Sequence, residues 1–539
     1  MGGFERVSRR SFLRAVAIAG GVATVPGFLT ACGAPDAPET AGGGGTLDEL
    51  RVALPSSLSS LDASKEAGIM NYVVALLCQE ALVGVGPDGD LVPALAESWE
   101  SDDAKTFVYR LRKDVKFSDG TPVTAADIVA SLEYNTEKGS TSAFAYAYAG
   151  VKSVKATGEH EITIKLDQID SSFAWTVSPG TLLVTSAKFL ANGDKIGTPD
   201  VKILGTGPYK VTEFAPDSHV TLERNDAWWG GKAEIAKIRF EFIAEDSTRL
   251  LAMRQGEVDI ALNVPLEQLA QWQGLDGVEV KTTTDRSLVA LAFNTAVKPF
   301  DDLRVRKAIG HAVDRKGIVD GILGGHAEVA TTLPSSAQWA GLPAADVAAM
   351  YAAIPQVDFD LAKAKEELAA SSVPGGFKAT LTYPNSGSQL GKAALTLAEN
   401  LKGLGIELTV KEITLEAWIA ELTERKSGLL YGWYFATTGD PAEFTQQLLN
   451  GANAAAGGTN IASYANAKVT SLLDQAKATT EDKARTDLIG RALTLAAADL
   501  PYQPLWWGQS ATAFGPKVTA DGYGPYFFIS PWAAEVAAK

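Results

Sequence analysis

The sequence predicts an α/β protein of two or three domains, and three observations carry that reading. Strict alternation in "TFVYRL" (106–111), "EITIKL" (161–166) and "KIRFEF" (237–242) puts every second apolar side chain on one face, as in mixed or antiparallel sheets covered on one side. Apolar residues at helical spacing recur at Val305, Ala308, Ile309 and Ala312, at Ala394, Leu397, Ala398 and Leu401, and at Val469, Leu472, Leu473 and Ala476, which predicts amphipathic helices. The chain has 539 residues, more than one hydrophobic core usually serves.

At the N-terminus, Arg9, Arg10 and Arg14 precede an uncharged run of 17 residues, Ala15 to Ala31. A bilayer span needs roughly 20 apolar residues. Gly20, Gly21, Pro26 and Gly27 further weaken a permanent helix, so residues 1–31 read as a cleaved signal peptide rather than a membrane anchor. "SRRSFLR" (8–14) resembles a twin-arginine export signal, and "LTAC" (29–32) resembles the lipobox of bacterial lipoproteins. The resemblance implies cleavage before Cys32 and a diacylglycerol on its sulfur. At ~0.8 kcal/mol per buried methylene, two or three acyl chains hold a protein at a membrane where one holds it marginally. Residues 32–46, "CGAPDAPETAGGGGT", lack bulky apolar side chains and read as a flexible tether.

The whole chain carries a net charge of -16, and removing residues 1–31 takes away four arginines and one glutamate, leaving -19. Such a surface repels nucleic acid and anionic head groups, so nucleic acid is excluded as a partner. Cys78 is the one thiol left besides Cys32; it lies in "IMNYVVALLCQEALV" and reads as a small core residue.

Along the folded part, Thr124 and Asp127 in "TAAD" form a capping-box start just after the turn "DGTP". The clearest unit is a strand over 379–383, a turn, a helix over about 389–404, Gly405 as its stop, and a strand in which Ile406, Leu408 and Val410 share a face. A strand, a crossover helix and a second strand make a parallel pair. The turn then lies at the C-terminal end of a parallel strand, where α/β domains place ligands.

Tests for chemistry fail in turn. "GSQLGKA" (387–393) has one residue too few between its glycines for a phosphate loop, and Ala393 where a hydroxyl would hold magnesium. His160, His219, His311 and His326 show no metal-ligand spacing. No G-x-S-x-G elbow and no S-x-x-K falls on a strand-to-helix turn. Asp301 and Asp302 read as helix caps rather than a glycosidase pair. No catalytic residue, metal or cofactor is expected.

Aromatic residues in turn-rich contexts stand out instead: Trp228 and Trp229; Tyr431, Trp433, Tyr434 and Phe435; Trp506 and Trp507. Large rigid rings beside Gly and Pro suit the walls of a ligand pocket, and equally suit the stapling of loops onto a core. Trp228 and Trp229 read as staples, Trp433 and Tyr434 as ligand walls.

The landmarks "DLVPALAESWESDDAKTFVYRLRKDVKFSDGTPVTAADIVASLEY", "GTGPYKVTEF", "RNDAWWGGKAEIAKIRFEFIAEDSTRLLAMRQGEVDI", "FNTAVKPFDDLRVRKAIGHAVDRKGIV" and "PYQPLWW", in this order, resemble the peptide-type (family 5) extracellular solute-binding proteins of ATP-binding-cassette (ABC) importers. The likeness runs from Leu50 almost to the C-terminus. It implies a two-lobed periplasmic-binding-protein-like clamp of type II, peptide-binding subclass. Lobe I would comprise 47–85, 195–292 and 510–539, with an inserted third subdomain at 86–194, and lobe II 293–509. Two chain crossings would form the hinge, and closure would be a population shift driven by the solute.

The resemblance also implies site residues. The segment with Gly432 and Trp433 pairs with a peptide backbone. Trp418 matches a cleft-lining tryptophan, and the loop Ser56 to Asp62, with Ser57 and Leu58, a lobe I contact. Tyr383, Ser386 and Gln389 flank the turn after the first parallel strand, and Tyr434 adjoins Trp433. Dipeptide-type members hold the ligand's two charged ends with an aspartate and an arginine; here Thr437 and Gly387 stand at those places, and a register shift of one or two residues would restore Asp440 as an anchor. An unpaired buried charge costs several kcal/mol, so a free dipeptide is disfavoured. The function implied is a monomeric, lipid-anchored receptor on the outer face of the bacterial membrane that captures a peptide-like solute for ABC permease subunits. An oligosaccharide or other uncharged solute, a secreted hydrolase, and an adhesin or chaperone on the same clamp are the alternatives.

Overall fold

Each alternating segment is a strand and each segment of helical spacing a helix. In the computed structural model, which describes residues 47–539 apart from 67, 138, 139, 141, 340, 341 and 456, Thr106–Leu111 and Glu161–Leu166 pair antiparallel in a four-stranded sheet. Lys237–Phe242 joins a nine-stranded mixed sheet. Leu303–Ala312, Ser388–Lys402 and Ala467–Lys477 are the three helices. The signal segment, Cys32 and the tether lie outside the described residues.

Local chemistry fixes the element ends. Thr124 caps Ala125–Thr136 reciprocally: its hydroxyl accepts from the Asp127 N–H at 3.3 Å, and the Asp127 carboxylate accepts from the Thr124 N–H at 2.9 Å. The strands Lys378–Pro384 and Glu407–Ile413 are parallel, with Leu381 opposite Val410. The helix between them ends at Lys402, two residues before the expected end, and Gly405 at φ +79 turns the chain into the second strand. Gly376, at φ +84, packs against it so closely that a Cβ there would lie 2.0 Å from the Gly405 carbonyl oxygen.

The large sheet is organised by two long strands, Glu279–Phe293 and Tyr502–Phe514, which pair antiparallel along most of their length. One end of Tyr502–Phe514 pairs with Ile260–Ala261, which leads through Glu49–Leu54 to Lys237–Phe242, His219–Arg224 and Tyr209–Ala215. At the other end, Glu279–Phe293 pairs with Leu429–Phe435, the sheet's edge strand. Between Thr284 and Leu288 the register shifts, and Arg286 takes φ +61. This is a bulge, where the ladder is broken and the strand bends.

The apolar side chains of the described residues form separate cores around this pair. Val289, Leu291 and Phe293 point into one core with the helix Ser388–Lys402, while Leu288, Ala290 and Ala292 point into another with Phe444 and Leu493. A strand covered on both faces must be apolar without interruption, which is why "LVALAF" follows the polar "TTTDRS". A third core holds Phe107, Tyr109, Ile162 and Ile164 of the four-stranded sheet, and two more flank the other half of the large sheet. Cys78 is buried in one of these, and burial raises its thiol pKa. Among the described residues no helix is long and apolar enough to cross a membrane.

Replacing Gly376 with Ala forces a side chain onto a left-handed residue already touching backbone. The expected loss is roughly 1–3 kcal/mol of stability. A urea midpoint equal to that of the wild type refutes this account of the turn.

Candidate functional site

A cavity of about 310 Å³ lies where the bulge meets several segments distant in sequence. On one side stand Met70 and Val73 of the helix Ile69–Ala75, the segment around Val264, and Phe528. On the other stand Ser388, Gln389 and Lys392 from the first turns of Ser388–Lys402, with Trp433 and Phe435 from the edge strand. Asp285, Arg286, Ser287, Gly508 and Gln509 lie between the two sides. Strand periodicity aims Trp433 and Phe435 the same way; their ring centroids are 5.9 Å apart, and Phe435 is 47% exposed. A Cβ on Gly387 would approach the Trp433 ring at 3.4 Å, so the turn before the helix rests against the edge strand's indole.

The bulge places two titratable side chains, Asp285 and Arg286, in the crevice lining. Asp285 accepts the Ser287 N–H at 2.9 Å, and burial pushes its carboxyl above the ordinary range. Arg286 is only 5% exposed, burial lowers its pKa, and its guanidinium carbon lies 4.7 Å from the centre of the Tyr526 ring. This is a walled crevice with an aromatic side and a few polar groups, the form of small-molecule sites in general. Among the described residues no group of His, Cys, Asp and Glu could hold a metal ion.

Comparison with known proteins gives the family of the chain. Residues 90–456, more than half of the chain, match the model of the bacterial extracellular solute-binding proteins, family 5 (middle region). The chain belongs to this family. Heme-binding protein A of Haemophilus influenzae is 26% identical over 483 residues, which cover 84% of this chain and 85% of that protein. Glutathione-binding protein GsiB of Escherichia coli (strain K12) is 26% identical over 488 residues, covering 89% and 92%. The periplasmic binding protein DppA of Helicobacter pylori, solved in complex with the peptide STSA, superposes with a TM-score of 0.79 at 24% identity over 92% of this chain and 98% of that one. The fold is therefore the two-lobed type II clamp, and the protein is an extracytoplasmic solute-binding protein rather than an enzyme.

Within this family 5 protein the expected site residues divide. Gln389 and Trp433 line the crevice. Gly432 is buried in the edge strand, opposite Ala290. Ser57 and Ser386 are exposed and lie outside the crevice lining, and Leu58 is a core residue. The Tyr383 hydroxyl donates to Glu412 at 3.1 Å on the outer parallel pair. Trp418 departs from its expected cleft position: it is 5% exposed and packs in the core with Leu381 and Leu429, because its face of the helix Leu415–Glu424 covers the parallel strands. Tyr434 does not stand beside Trp433 either. Successive strand residues point to opposite faces, so its ring goes to the core on the other side, 6.1 Å from Phe444.

Thr437 and Asp440 are tied within the fold. The Thr437 N–H and hydroxyl both donate to Glu443, at 2.9 and 2.8 Å. Asp440 accepts from the Ala442 N–H at 2.8 Å and forms a buried ion pair with Arg485. That pairing uses the charge on which its role as a substitute anchor depended. Asp285, Arg286 and Lys392 were not expected in the crevice. The available signal was a charged pair, "DR", between a polar and an apolar stretch of one strand, where the bulge turns it inward.

Trp228 and Trp229 are staples, as read from their context. Both indoles donate to the buried carboxylate of Glu80, at 3.3 and 2.9 Å, the Thr206 hydroxyl adds a third bond at 2.7 Å, and Arg112 lies over the Trp229 ring at 4.1 Å. Burial raises the Glu80 pKa and outweighs those donors. A carboxyl raised by folding stabilises the protein below its unfolded pKa, and that contribution is lost as pH rises through the folded value. The melting temperature of the wild type should therefore fall relative to Glu80→Gln as pH is raised from about 4 to 8. A gap independent of pH contradicts this.

Proposed function

We propose that this protein captures a peptide-like solute in the crevice at the bulge and delivers it to the permease subunits of an ABC importer, working as a monomer tethered through a lipid on Cys32. The observation that carries the reading is the position of the edge strand. Leu429–Phe435 pairs with Glu279–Phe293 on one side and, among the described residues, with no strand on the other, while its Trp433 lines the crevice. An extended chain can add to such an edge by main-chain hydrogen bonds, whatever its side chains. The relatives named for heme and glutathione and the neighbour holding a tetrapeptide support a solute of this size class.

The lobes would be 47–85 with 195–292 and 510–539, and 293–509, with the subdomain 86–194 inserted in the first. The bulge at Asp285–Ser287, facing Gly508, is then the flexing point of the two crossing strands. Closure would be held by contacts far from the crevice. The Ser171 N–H donates to the Lys477 carbonyl at 2.9 Å, Lys477 pairs with Asp170 at 3.1 Å, and Gly180 packs so tightly on Thr437 that a Cβ there would lie 2.4 Å from its carbonyl oxygen. Such contacts exist only with the halves together, so a solute that bridges the crevice shifts the population toward the shut form.

Stripped and refolded protein should gain thermal stability with a pool of short peptides, by about 2.7 kcal/mol at a hundred times Kd, and Trp433→Ala should lose most of the shift. A shift with oligosaccharides and none with peptides assigns the other solute class. A Cys32→Ala variant should leave the membrane fraction for the soluble one; if it remains with the membrane, the lipid tether is wrong.

A further inference from the structure

Arg286 is not in contact with a counter-charge: the carboxylates of Glu443 and Asp285 act on it only from beyond ion-pair distance. Its Nε and Nη1 atoms are buried without a hydrogen-bond partner, and no carboxylate among the described residues forms an ion pair with it. A buried guanidinium left in this state is costly unless a partner arrives. The carboxylates nearest to it in charge coupling are Asp285 and Glu443, and both are engaged elsewhere. Asp285 accepts the Ser287 N–H, and Glu443 accepts four bonds from the N–H and hydroxyl groups of Thr437 and Thr438. Tyr526 offers Arg286 its ring face, while its hydroxyl donates to the Ala337 carbonyl.

The same crevice receives positive potential from a second direction. The helix Ser388–Lys402 begins there without a side-chain cap; the Leu390 N–H donates to the Gly387 carbonyl, and no capping side chain meets the N–H groups of Ser388 and Gln389. Ser388 and Gln389 of that first turn line the cavity, as does Lys392. Of the acids that also line it, Glu267 is exposed, and burial raises the pKa of Asp285.

We propose that Arg286 is the anion anchor of this crevice, so that the captured solute carries a carboxylate which pairs with the guanidinium. This rests on the reading of the crevice as the solute site. The guanidinium fork can donate two hydrogen bonds to one carboxylate, and such pairing would engage donors that the protein leaves open. The anchor stands on the bulge between the halves rather than at the turn position occupied by Gly387 or the position of Thr437. A ligand held there touches the flexing point itself.

The test uses matched pools on the full mature chain. Tripeptides with free C-termini are compared with the same sequences amidated, and uronic-acid disaccharides with their neutral counterparts. The wild type should bind the acid member of at least one matched set roughly thirtyfold more tightly than the neutral member. Arg286→Met should abolish that preference, and Arg286→Lys should retain part of it, with the melting temperature of each unliganded variant reporting its folding. A preference for free-acid peptides supports both the anchor and the peptide reading. A preference confined to the uronic acids supports the anchor and overturns the peptide reading. If the wild type binds no acid pool better than its neutral counterpart, or if folded Arg286→Met keeps the preference, the anchor is refuted.

Discussion

The antiparallel pairing of Glu279–Phe293 with Tyr502–Phe514 is the constraint on which the rest of the structure depends. It runs through both halves of the nine-stranded sheet, so every element on either side is referenced to one pair of strands. Main-chain hydrogen bonds resist shear along a strand but tolerate bending where the ladder is interrupted. The interruption falls at Asp285–Ser287, with Arg286 in the left-handed region. The cores at Val289 and at Val52 are separate from one another.

The crevice follows from that arrangement. A bulge turns side chains off the regular alternation, and here it carries an aspartate and an arginine into a space that strand periodicity would have filled with apolar residues. Trp433 and Phe435 reach the same space because they share one face of the edge strand, and the helix at Ser388 reaches it because a parallel strand ends beside it. The crevice lining is thus assembled from segments distant in sequence.

Polar groups buried away from the crevice serve packing. Glu80 gathers Trp228, Trp229 and Thr206, Glu443 gathers Thr437 and Thr438, and Asp440 is matched by Arg485. Each is satisfied from within the chain, as buried polar atoms must be. Arg249, Arg425 and Arg485 each leave a buried Nε without a partner while their other nitrogens form hydrogen bonds, whereas Arg286 leaves both Nε and Nη1 buried without one.

The sequence by itself determined the local elements. Alternation specified Thr106–Leu111, Glu161–Leu166 and Lys237–Phe242 to the residue, Thr124 with Asp127 specified a helix start, and Gly405 marked a turn, because period and capping act within a few residues. Of the site, Trp433 and Gln389 were legible, since a turn after a parallel strand and an aromatic strand both advertise a cleft. Only the tertiary structure decided the fates of Trp418, Tyr434 and Asp440. Whether an indole meets solute or core depends on what lies across from its helix face, and whether an aspartate is available depends on an arginine 45 residues away. The bulge that brings Arg286 inward was equally invisible, because a register shift belongs to two strands more than two hundred residues apart and is written in neither one alone.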